Sequence, residues 1–271
     1  MMKKSNEIQE IFGYHAVKAA LKNISRTHIE LSIIPKYREF AEKFDKIVPK
    51  INILSPNDFY KKYGNERVTQ GIYLISKSLP YISLENFIEK EKINKNSVII
   101  VLDRITDPQN IGSIMRSSLL FKCNAIVVSK NNSPDITSSL IKAASGALEK
   151  VKYIRVTNLQ RALKFLKNNK YWIFGLDSGN KITKLENVIS NKCVYILGAE
   201  GDGIRNLIKK ECDELLTLPF TRDKELEVDS LNVSNAASIA LYEYYKKYFD
   251  WIKWCRVSES NWLPDDYKST A

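Results

Sequence analysis

The sequence predicts an α/β protein: a small α/β unit over residues 1–78 and a larger parallel-sheet α/β domain over residues 96–248. Three observations carry this. The runs Val98–Leu102, Ala125–Ser129 and Cys193–Leu197 are apolar without alternation, as strands buried on both faces are. Segments with apolar residues at helical spacing alternate with these strands, which is the rhythm of a parallel sheet covered by helices on both sides. The polar stretch LPYISLENFIEKEKINK (79–95) separates this rhythm from a shorter one before it, and it reads as a linker with one amphipathic turn near Leu84–Ile88.

In the first unit, Tyr14–Lys22 has the spacing of an amphipathic helix and His28–Ile34 that of a strand. Lys36–Ile47 reads as a helix after Pro35, and Ile51–Leu54 as a short strand. Ser55 and Pro56 open another helix, the serine as cap and the proline where its missing N–H is not needed. Gly71–Ser76 is the last strand. In the larger domain, Asp107 and Pro108 follow the first strand as cap and first helical residue, with Asn110 a second candidate cap. That helix runs to Phe121. Then come the strand Ala125–Ser129, the helix Thr137–Leu148, the strand Tyr153–Val156, the helix Leu159–Lys167 and the strands Trp172–Leu176, Cys193–Leu197 and Leu215–Leu218. A final helix opens at Ser230-Leu231-Asn232-Val233-Ser234 and repeats apolar residues at Val233, Ala236, Ala237, Ala240, Leu241 and Tyr244. Residues 249–271 form a tail with three tryptophans and no clear period.

The net charge is +11, from 42 Lys and Arg against 31 Asp and Glu, which favours a polyanionic partner and nucleic acid first. Residues 1–78 hold 14 basic and 8 acidic side chains, 14 − 8 = +6, over half of that excess. A solvated lysine-rich surface is the alternative reading of this excess. The four cysteines, Cys123, Cys193, Cys212 and Cys255, form no CxxC pair, and His15 and His28 are the only histidines. A zinc site or a histidine triad is therefore not expected, and reduced thiols in the cytoplasm, with an organelle matrix as the alternative, are. No apolar run approaches the roughly 20 residues of a membrane span.

Three segments leave the carboxyl ends of predicted strands: the turn and helix holding Asn110 and Arg116, the turn GAEGDG (198–203), and the stretch from Leu218 to Ser234. Ligand crevices of α/β sheets form at those ends. Each segment also has a plain reading. Asn110 is equally a cap, Arg116 a surface charge, Glu200 a solvated loop residue, and the glycine turn a tight connection. The glycines do not have G-x-G-x-x-G spacing, so a dinucleotide site is not expected.

Taken together, DPQNIGSIMRSS, ILGAEGDGIRNL and LTLP…SLNVSNAASIALYE, in this order, resemble the three signature motifs of the SpoU branch of the SPOUT RNA methyltransferases. The resemblance covers about residues 96–247. FGYHAVKAAL and ERVTQGIYLIS in the front part resemble the RNA substrate-binding domain of the ribosomal-RNA guanosine-2′-O-methyltransferase subgroup. The resemblance implies a trefoil-knotted catalytic domain, a homodimer with the site at its interface, and S-adenosyl-L-methionine as cofactor. It implies methyl transfer to a ribose 2′-hydroxyl, of ribosomal RNA first and transfer RNA second; a SpoU-like protein that binds RNA without methylating it is the competing class. Leu176, Gly198, Leu218 and Leu231 should surround the cofactor. Asn110, Arg116, Glu200, Ser230 and Asn232 should serve the reaction, with Arg116 near the RNA phosphate and the attacking hydroxyl. Arg116 lies one and a half turns beyond the helix start that holds Asn110, and both are expected at the crevice. Members usually carry a short glycine-containing turn between Pro219 and Ser230; here FTRDKELEVD is longer and lacks glycine.

Overall fold

The computed structural model describes residues 8–177, 190–218 and 230–249. The loop Phe220–Asp229, through which the expected knot would run, and the tail from residue 250 lie outside the described residues.

The first unit comprises β1 (Ile8–Phe12), α1 (Tyr14–Leu21), β2 (His28–Ile33), α2 (Arg38–Glu42), β3 (Ile51–Ile53), α3 (Pro56–Tyr63), α4 (Glu66–Thr69) and β4 (Ile72–Lys77). Its sheet has the order β1-β4-β2-β3, with β4 antiparallel to both neighbours and β3 parallel to β2. Strand β1 was not expected. Gln9 and Glu10 interrupt its apolar residues, and the strand exists because Ile8–Phe12 pairs along β4. Ser55 caps α3 as expected, accepting from Asp58 N at 3.2 Å. The helix expected over Lys36–Ile47 is instead a 3-10 turn at Pro35–Tyr37 and the short α2.

The second sheet holds β5 (Ser97–Asp103), β6 (Ala125–Ser129), β7 (Lys152–Val156), β8 (Trp172–Leu176), β9 (Lys192–Gly198) and β10 (Glu214–Leu216). Its order is β10-β8-β9-β5-β6-β7 and every pairing is parallel. The helices are α5 (Leu84–Glu91), α6 (Pro108–Leu120), α7 (Ser138–Ala143), α8 (Leu159–Asn168), α9 (Asn206–Lys209) and α10 (Val233–Tyr248). From β5 the chain winds outward through β6 and β7, then returns to the other side and inserts β9 beside β5. This reversal is a topological switch point, where a crevice opens at the carboxyl ends.

Successive strand residues point to opposite faces, so each apolar strand feeds two cores. On one face Ile99, Val101, Val127 and Val194 pack with α8 and with Leu84, Phe87 and Ile88 of α5. The stretch read as a linker therefore contains a full helix seated on the second sheet. Its three apolar residues occupy one face of α5, and that burial outweighs its charged composition. On the other face Ile100, Ile126 and Tyr195 share a single core with Val17, Leu31 and Leu74 of the first unit.

Two features join the units. The Arg26 guanidinium meets the Glu149 carboxylate at 2.7 Å, with side chains 0 % and 2 % exposed. Arg26 also donates to Gln9 Oε1 and the Lys77 carbonyl, while Asn23 donates to Glu149. Near this pair the helix expected over Thr137–Leu148 stops at Ala143, because Ser145 and Gly146 take φ of 47° and 91°. A Cβ on Gly146 would lie 2.5 Å from Ala19 Cβ, so only glycine fits against α1.

Candidate active site

A cavity of about 230 Å³ opens at the carboxyl ends of β8, β9 and β10. Leu176 reaches it from the end of β8, Gly198 from the end of β9, Leu218 from beyond β10, and Leu231 from the approach to α10. All four residues expected around a cofactor therefore line one cavity. The wall mixes leucine side chains with the open backbone of the Gly198–Gly203 turn. That turn is tight: Gly203 N donates to the Ala199 carbonyl at 2.9 Å, and a Cβ on Gly198 would sit 2.0 Å from the Gly203 carbonyl carbon. Any side chain at position 198 would force the turn open.

Asn110, Glu200 and Asn232 close a triangle at the edge of this cavity. Asn110 Nδ2 donates to Glu200 Oε1 at 3.0 Å, Asn232 Nδ2 donates to the same oxygen at 3.0 Å, and Asn232 Nδ2 also lies 3.1 Å from Asn110 Oδ1. Local capping presents each amide. Asp107 accepts from Gln109 N and Asn110 N, so Asp107 rather than Asn110 caps α6 and the Asn110 side chain is left to reach across. Asn232 caps α10: its Oδ1 accepts from Ser234 N at 2.9 Å and Ser234 Oγ at 2.6 Å, which turns its Nδ2 outward. Residues far apart in sequence (110, 200 and 232) thus meet because three strand-end segments converge. Glu200, with both amides donating to one oxygen, is anchored by charge-assisted bonds.

Ser230 lines the cavity but joins no bond of the triangle. Arg116 is not brought to it. Six positions along a helix turn a side chain by about 240°, so Asn110 and Arg116 point apart. Arg116 is exposed on α6, away from the cavity lining, with no ion pair among the described residues. Helices α6 and α10 pack side by side, with Ser117 Oγ 2.6 Å from Ser238 Oγ.

Two acidic residues at the ends of buried strands escaped the sequence reading. Asp177 follows β8, lines the cavity and is ion-paired with Lys209 at 2.6 Å. Asp103 ends β5, fully buried, in contact with Arg205. The available signal was an acidic residue directly after an apolar strand, at the crest where ligands bind. Among the described residues no group of three His, Cys, Asp or Glu is arranged to hold a metal, and no helix is long and apolar enough to cross a membrane.

Known proteins resemble this chain in sequence and in fold. A protein described as an uncharacterized tRNA/rRNA methyltransferase from Synechocystis sp. is 32% identical over 248 residues, 88% of this chain and 62% of that relative, so the chain spans just under two thirds of its length. The 23S rRNA (guanosine-2′-O-)-methyltransferase of Salmonella typhimurium is 31% identical over 242 residues, 86% of this chain and 96% of its own. The solved SpoU methyltransferase of Streptomyces viridochromogenes, in complex with the cofactor AdoMet, matches with a TM-score of 0.72 at 17% identity, over 92% of this chain and 90% of that one, a likeness of fold. The model of the SpoU rRNA Methylase family matches residues 97–242. That match spans more than half of the chain and includes every residue that lines the cavity, and on it the chain belongs to the SpoU family of RNA methyltransferases.

Proposed function

We propose that this chain methylates a ribose 2′-hydroxyl of RNA, a guanosine of large-subunit ribosomal RNA first, with S-adenosylmethionine as methyl donor. The observation that carries the reading is the Asn110–Glu200–Asn232 triangle at the edge of the cavity formed by Leu176, Gly198, Leu218 and Leu231. The cavity suits the donor: leucine side chains for a purine, and open backbone at the glycine turn for polar ends. When bound, the donor supplies a methyl group already activated by its sulfonium.

The chain's own residues then supply positioning. Glu200 holds the two amides, and Asn110 and Asn232 orient the incoming ribose, with the Ser230 hydroxyl beside them. Arg116 points away from this chain's own cavity, and in a dimer it would bind the RNA phosphate and orient the hydroxyl at the partner subunit's site. Leu120 and Ile239 on α6 and α10 are 73% and 40% exposed, which supports a homodimer through these helices with Arg116 at its interface. The +6 charge of residues 1–78 supports an RNA-holding role for the first unit, joined through 79–95 to the catalytic part. The buried thiols of Cys123 and Cys193 suit a reducing, cytoplasmic setting.

The test is incubation with tritiated S-adenosylmethionine and either protein-free ribosomal RNA or transfer RNA, followed by digestion to nucleosides. Label should appear in 2′-O-methylguanosine from ribosomal RNA. Label from transfer RNA alone would replace the substrate, and RNA retained without label would establish a non-catalytic RNA binder.

A further inference from the structure

We propose that Asp103 and Arg205 are positioning residues: a clamp that holds the Gly198–Gly203 turn in the shape the donor cavity requires. The inference rests on the methyl-transfer reading above. Asp103 ends β5, directly opposite Gly198 in the ladder, and is fully buried. Arg205 lies just beyond the turn. Its backbone N donates to Asp103 Oδ2 at 3.0 Å, its Nε to both carboxylate oxygens at 2.8 and 3.1 Å, and Nη2 lies 2.6 Å from Oδ1. The turn is thus held at its entry by the β5–β9 ladder and at its exit by one buried carboxylate.

A second tie follows. Arg104 takes φ of 62°, which turns the chain so that consecutive side chains both reach the turn, and its guanidinium pairs with Asp202 at 3.4 Å. Glu200, Gly201 and Asp202 are exposed, so apolar packing does little to hold them.

A buried ion pair by itself is weak evidence for stability, because desolvation offsets most of the attraction. Here the pair supplies something an apolar pair of the same volume lacks: donors and acceptors that fix one backbone position. Glu200 must meet Asn110 and Asn232 at 3.0 Å each, and misplacement by about 1 Å in a positioned site can cost about 10²-fold in rate.

The experiment compares the parent with Arg205→Ala and Arg205→Lys. Lysine keeps a charge against Asp103 but cannot span both oxygens. The readouts are amide hydrogen exchange across 199–204, affinity for S-adenosylmethionine by calorimetry, single-turnover methylation of saturating RNA, and RNA affinity by filter binding. Arg205→Ala should speed exchange in 199–204 about tenfold while β5 and β9 stay protected. It should weaken donor affinity and the single-turnover rate about tenfold each, with RNA affinity within twofold. Arg205→Lys should fall between, and it carries the test should Arg205→Ala fail to fold. A variant that melts earlier yet keeps exchange in 199–204 and donor affinity at parental values would reduce the pair to a structural role and overturn the clamp. If the parent itself takes up no donor, the methyl-transfer reading falls, while the exchange measurement still decides whether the turn depends on Arg205.

Discussion

Among the described residues, two arginine–carboxylate pairs with a buried carboxylate do different work. Arg26 and Glu149 are both withdrawn from water, lie 123 positions apart in sequence, and lock the first unit onto the second, with Asn23, Gln9 and the Lys77 carbonyl hydrogen-bonded to the pair. In the Arg205–Asp103 pair only the carboxylate is withdrawn; the Arg205 side chain is 37% exposed and sits at the exit of a loop. Breaking the first strands a charge in a shared core. Removing Arg205 leaves the Asp103 carboxylate with the backbone N–H of position 205 and with the water admitted on its half-open side, and it frees the loop. The first loss should therefore be read in stability and the second in function.

The largest expected effect tests the first half of that contrast. Glu149→Ala leaves the Arg26 charge buried and should cost about 3–5 kcal/mol in urea unfolding, the usual scale for removing one partner of a buried pair. The double variant Arg26→Met/Glu149→Leu should recover most of that loss. A Glu149→Ala cost below about 1 kcal/mol would erase the difference between the pairs.

Next in size is Gly198→Ala, a change within the clamped turn. Its Cβ would meet backbone at 2.0 Å, and a backbone carbon cannot step aside as a side chain can. Donor affinity should fall at least tenfold, about 1.4 kcal/mol. Unchanged calorimetric affinity would separate the turn from the cavity.

Gly146→Ala perturbs the lock without touching charge. It combines a φ of 91° with a 2.5 Å approach to Ala19 Cβ, and strain of this kind costs about 1–3 kcal/mol. Melting should shift while donor affinity does not; a parallel loss of donor affinity would show that the units communicate.

The smallest effect is a pH dependence. His28 is buried with Nδ1 3.0 Å from Ser76 Oγ. Burial first, and then the Arg26 charge, holds its pKa below the usual 6.5, while Glu149 pulls the other way. With the folded value lowered, the unfolded chain binds the proton first. Stability from this group is complete above about pH 6.5 and is lost as pH falls toward the folded value, by at most about 1.4 kcal/mol per unit. His28→Gln should flatten that arm of the stability curve and Arg205→Ala should leave it intact. An acid arm unchanged in His28→Gln would assign it to other groups.

The second sheet was legible because its information is local. Val98–Leu102 and Cys193–Leu197 are apolar throughout since both sheet faces are covered, and Asp107-Pro108 and Ser55-Pro56 mark helix starts with backbone chemistry of their own. The four cavity residues followed from motif resemblance, and they converge because the ends of β8, β9 and β10 and the approach to α10 meet at one edge of the sheet. Strand β1 and helix α5 were not legible in the same way. Glu10 and the charges of 85–91 hide an alternation that becomes decisive only when β4 or the second sheet lies beside it.

By itself, then, the sequence determined the strands of the second sheet and their order along the chain, the Ser55 and Asp107 caps, the family, and which residues stand at the ends of those strands. Those follow from period, capping chemistry and motif, each confined to neighbouring residues. Tertiary structure alone decided that Asn110, Glu200 and Asn232 touch while Arg116 turns away, that Arg26 needs Glu149, and that Asp103 needs Arg205. Such contacts join residues tens to more than a hundred positions apart. Their geometry depends on the crossing order β8-β9-β5, on a left-handed turn at Arg104 and on a missing Cβ at Gly198, none of which leaves a periodic trace in the chain.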